Sequence, residues 1–139
     1  MLTINKRERR LLISFLSHDL DIIICDELLS PAELKTNQDR KLTFIDWLRQ
    51  INNGDRDFFL ECCTCDVEVY DLLAKIIKED EKVKEMVDMA DDIIDRVAWL
   101  AGTKAHPTFF AKQDQRIDRV VLIIIGRFQR YALADILDT

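Results

Sequence analysis

Helix breakers are nearly absent from this chain: 3 Gly and 2 Pro stand among 139 residues. Sheet-rich folds need frequent tight turns, and tight turns consume Gly, Pro and Asn. So few breakers predict long helices joined by short links. They also exclude a P-loop or any other glycine-built nucleotide cradle. Apolar residues make up 48% and charged residues 33%, a balance that suits a packed core under a solvated surface. The expected fold class is all-α, a compact bundle of seven or eight helices.

Helical spacing of apolar side chains recurs along the chain. A first helix is expected over 6–17, with Leu11, Leu12, Phe15 and Leu16 as its apolar positions. Asp19 or Asp21 can cap a second helix carrying Ile22, Ile23, Ile24, Cys25 and Leu28. Ser30-Pro31-Ala32-Glu33 reads as a capping box with proline at the first helical position, opening a short third helix. Asn37 or Asp39 opens a fourth, which Asn52-Asn53-Gly54 ends. A fifth covers about 55–63 and a sixth about 66–78.

The charged run from Lys78 to Lys82 reads either as a linker or as a polar turn within one long helix. A seventh helix extends to Leu100, and a last one covers about 109–137 after a corner at His106-Pro107. Gly126 lies inside that last helix, where close packing or a kink is expected. The division expected is a bundle over 1–78 with two further helices over 79–139 packing on it. The alternative is one single domain, 1–139.

A net charge of −6 disfavours binding to nucleic acid, whose phosphates repel an acidic surface. The one basic cluster is Lys6, Arg7, Arg9 and Arg10, a solvated helix turn or a docking patch for an acidic partner. No apolar run reaches the length of a membrane span. The longest, Val120 to Ile125, reads as the middle of a buried helix. The start of the chain lacks the order of a signal peptide, so a cytoplasmic location without disulfides is expected. Cys25, Cys62, Cys63 and Cys65 lack zinc-site spacing and read as small buried hydrophobes. His18 and His106 stand alone, and no Ser/His/Asp or Cys/His set can be defended, so no catalytic residue is assigned. Trp47 and Trp99 read as core or partner-contact aromatics.

One constellation has metal-binding character. Asp88, Asp91, Asp92 and Asp95 fall at i, i+3, i+4 and i+7, which places four carboxylates on one helical face. Such like charges destabilise a helix slightly, and a divalent cation such as Mg²⁺ would relieve them. The spacing supports an alternative reading, a small all-helical Mg²⁺-dependent nucleotide hydrolase. Those enzymes carry a second acidic helix, and Glu81 and Glu85 have the wrong spacing to supply it. The other reading is a solvated face.

Leu12-Ile13-Ser14-Phe15-Leu16 is similar to the F-L helix of death effector domains, and Lys41 to Leu48 resembles their L-x-x-F-x-x-L helix. Asp57 to Cys63 and Val69-Tyr70-Asp71-Leu72-Leu73 resemble the F-L-x-x-L and R-x-D-L-L ending. Residues 9–77, about half the chain, thus resemble a death-fold domain, the six-helix bundle shared by death effector and caspase-recruitment domains. Val69 stands where the family has arginine, so the charge triad built on it cannot form as usual. Read as a caspase-recruitment domain, Gly54 followed by Phe58-Phe59-Leu60 matches a G-x-x-x-F segment, but the middle is too short.

The resemblance implies a non-enzymatic adaptor that binds like domains without a cofactor, forming homo-oligomers. Phe15 and Leu16, if exposed, would be a hydrophobic anchor, and Asp71 would belong to the charged partner surface. Arg7, Arg9 and Arg10 would meet an acidic face on the next subunit. A third reading is a helical subunit of a larger assembly.

Overall fold

A computed structural model describes residues 2–20, 38–54, 56–62, 66–100 and 115–137. The described residues are all-helical, with no strand. Six α-helices are present: α1 Lys6–Ser14, α2 Gln38–Asn53, α3 Arg56–Cys62, α4 Val67–Glu79, α5 Glu81–Leu100 and α6 Gln115–Leu137. The helices expected over 22–28 and 31–36 lie outside the described residues, as do Cys25, Cys63, Cys65 and His106.

Local chemistry sets the helix ends. Asn5 caps α1 in a reciprocal box: its Oδ1 accepts from Glu8 N at 2.8 Å, and Glu8 Oε1 accepts from Asn5 N at 3.1 Å. A π-helical turn, Phe15–Asp19, continues α1, with Leu20 N donating to Phe15 O at 3.0 Å. Gly54 ends α2 at φ +89, the left-handed conformation expected of it. Asp66 caps α4 by accepting from Glu68 N at 2.8 Å.

Between α4 and α5 the charged run is neither a linker nor a continuous helix. Asp80 alone leaves the helical conformation, at φ −96 and ψ 102. Its N–H donates to Ile76 O at 2.8 Å and its C=O accepts from Lys84 N at 3.0 Å, so one residue closes α4 and opens α5.

The buried side chains form one cluster reaching from Ile4 to Ala132, and α5 and α6 belong to it with α1, α2 and α4. Helix α5 packs on α6, α2 and α4, and α1 packs on α4 and α6. An aromatic chain runs through this core. Phe15 meets Phe44 edge-on and stacks on Trp47, both at 5.8 Å. Phe44 meets Phe128 at 5.2 Å, Trp47 meets Phe59 at 6.1 Å, and Phe59 meets Tyr70 at 5.1 Å. Each such ring pair adds about 1 kcal/mol to the burial of its area. Gly126 is buried, and α6 continues through it without a break.

Candidate functional site

Helix α5 carries three faces. Val83, Met86, Val87, Ala90, Ile93 and Ile94 are buried in the core. Their spacing follows the 3.6-residue period of an amphipathic helix.

The second face is the acidic row. Arg49 of α2 is only 11% exposed, and its Nε and one Nη donate at 2.7 Å to Asp91 and to Asp95. Asn52, one turn further along α2, donates to Asp88 at 2.9 Å, and Lys84 donates to the same Asp88 oxygen at 3.1 Å. Lys84 also donates to Asn52 Oδ1 at 2.7 Å. Three of the four aspartates are thus held by cations and an amide, and Asp92 is exposed on the far side. Among the described residues no three His, Cys, Asp or Glu side chains are placed to hold a metal ion. The like-charge strain that motivated a Mg²⁺ site is relieved by Arg49. Sequence reading missed Arg49, whose one signal was an arginine within the apolar face of its helix.

The third face points to solvent. Lys82, Glu85, Met89, Asp92, Arg96 and Trp99 are all exposed and alternate at steps of three and four residues. Met89 is 42% and Trp99 77% exposed. An indole left this open forgoes the burial that normally makes tryptophan worth carrying, and exposed aromatics are enriched where proteins meet partners.

At the start of α5 sits the most buried charge among the described residues. The Asp80 side chain is 2% exposed. Its Oδ1 accepts from Lys82 N at 3.0 Å and Val83 N at 3.1 Å, capping α5. Its Oδ2 accepts from Arg127 Nε at 2.8 Å and from the Tyr131 hydroxyl, both on α6. Burial pushes the Asp80 carboxyl upward, but the hydrogen bonds from Tyr131, Arg127 and Val83 N–H and the Arg127 charge outweigh it, so it lies below its usual range. Burial first, and then the hydrogen bond to Asp80, push the Tyr131 hydroxyl up to about 12. These groups are hydrogen-bonded to one another, and the set serves as a lock between α5 and α6.

The expected partner residues do not form one surface. Phe15 and Leu16 are 1% and 0% exposed, which corrects the expectation of an exposed anchor. The physical reason is their register: with Leu12 and Leu20 they make the inner stripe of α1 and its π turn, and Phe15 is clamped between Phe44 and Trp47. Arg7 is exposed and ion-paired with Glu68 on α4. Arg9 is half-buried and donates to Tyr131 O at 3.3 Å and Ile4 O at 3.4 Å, joining α1 to α6. Arg10 is exposed, and Asp71 is exposed and pairs with Arg56 at 3.3 Å. Trp47 is partly buried and packs against the core cluster, His18 is exposed, and no described helix is long and apolar enough to cross a membrane.

No family model matches the chain, and neither a curated protein nor a solved structure matches it significantly.

Proposed function

We propose that this chain is a non-enzymatic helical interaction module that acts by homotypic contacts. The observation that carries the reading is the outer face of α5, where Trp99 and Met89 stand open to solvent at 77% and 42%. The conspicuous charged groups support it, because Asp80, Arg127, Arg49, Asp91 and Asp95 are engaged in joining helices. The homotypic element draws on the resemblance of residues 9–77 to death-fold domains, with the contact surface moved away from Phe15 and Leu16.

Sedimentation over a concentration series tests this reading. Wild type should shift from monomer to a larger species as concentration rises, and Trp99→Ala should weaken that shift while leaving the fold intact. A single 16.3 kDa species up to millimolar concentration would sink it.

A further inference from the structure

We infer that the outer face of α5 is a self-complementary docking surface whose occupant is α5 of a second copy, lying antiparallel to it across a two-fold axis. This rests on the homotypic reading above and names its surface and register. The argument is charge complementarity along one stripe. Lys82, Glu85, Met89, Asp92, Arg96 and Trp99 are spaced three and four residues apart and are all exposed. That spacing keeps the stripe on one side of the helix for about 25 Å.

An antiparallel pair centred between Ala90 and Asp91 brings Glu85 of each copy opposite Arg96 of the other. The same register sets Lys82 opposite Trp99, a cation over an indole face, and Met89 opposite Asp92. Each contact occurs twice, as a two-fold interface requires. The two outer layers are attractive, and cation–π pairing is strongest on tryptophan. In the parallel, in-register pairing, by contrast, every charge meets its own kind: Lys82 on Lys82, Glu85 on Glu85, Arg96 on Arg96.

Within one chain the alternative partner for Glu85 is weak. Lys82 Nζ lies 3.9 Å from it, between side chains 45% and 60% exposed. Exposed pairs of that kind contribute little, so exchanging it for Arg96 of another copy costs little. A stripe with two apolar and four charged positions gives a weak and salt-sensitive dimer.

Charge-swapped chains test the register. Sedimentation and light scattering are run on wild type, Glu85→Arg, Arg96→Glu and an equimolar mixture of the two variants, with helicity checked by circular dichroism. Each variant alone meets like charge twice, so its dimer should be at least about tenfold weaker than that of wild type. In the mixture, the two positive positions of the Glu85→Arg chain face the two negative positions of the Arg96→Glu chain, so association should return. A loss of structure could not produce that rescue.

If wild type associates but the variants associate equally well, or if the mixture fails to recover, the register is overturned and the homotypic reading stands. If wild type stays monomeric throughout, both fall.

Discussion

A single carboxylate carries an unusual share of the chain's local architecture. Asp80 ends one helix, starts the next and holds a third through Arg127 and Tyr131. Removing it leaves Arg127 without its counter-charge and α5 without a cap. Asp80→Ala should therefore destabilise the fold by about 3–5 kcal/mol, the cost typical of breaking a buried pair. Asp80→Asn keeps a good capping residue but no charge, so its loss should be smaller. Urea unfolding of the three proteins orders them.

Proton linkage gives the same lock two edges. The Asp80 pKa is lowered in the fold, so its stabilisation is present above the ordinary carboxyl range and fades as pH falls through the lowered value. The Tyr131 pKa is raised to about 12, so its stabilisation is full below the ordinary phenol value and fades as pH rises toward that figure. Melting temperature against pH should fall at both ends, and Tyr131→Phe should flatten the alkaline limb.

At the scale of elements, α2 and α5 show how a repulsive row is made tolerable. Arg49 spans Asp91 and Asp95 with a planar fork, which an ammonium cannot do. Arg49→Ala should cost about 2 kcal/mol, the range of hydrogen bonds to charged groups. Arg49→Lys should recover part of that loss. Added NaCl should narrow the gap between wild type and Arg49→Ala, because screening relieves the aspartates that Arg49 no longer pairs. Melting curves at two salt concentrations check this.

Much of this level was legible in the sequence. Gly54 ended a helix as expected, and the inner stripe of α5 followed its apolar spacing. The partners of the acidic row were not legible, because Arg49 and Asp91 meet through packing of helices whose relative rotation no local pattern specifies.

At the scale of the molecule, the scarcity of breakers predicted the all-helical class, but not which side of each helix would be left open. Phe15 and Leu16 show why. An apolar pair on a helix reads equally as anchor or core, and only the arrival of Phe44 and Trp47 decides it. Trp99 shows the converse, a residue of core-like chemistry that stands 77% exposed among the described residues. Its exposure became visible only when the rest of α5 found its neighbours. The same holds for the α4–α5 corner, where Lys78 to Lys82 look uniformly charged although one of them is interior.

That corner also bears on the order in which the chain folds. The capping bonds of Asp80 to Lys82 and Val83 span two and three residues, whereas its bonds to Arg127 and Tyr131 span 47 and 51. Local contacts close early and distant ones await loop closure. One oxygen of the carboxylate thus belongs to the chain's early history and the other to its completion. Damage to the cap should register in the folding rate, and damage to the α6 clamp in how long the finished molecule survives before it opens.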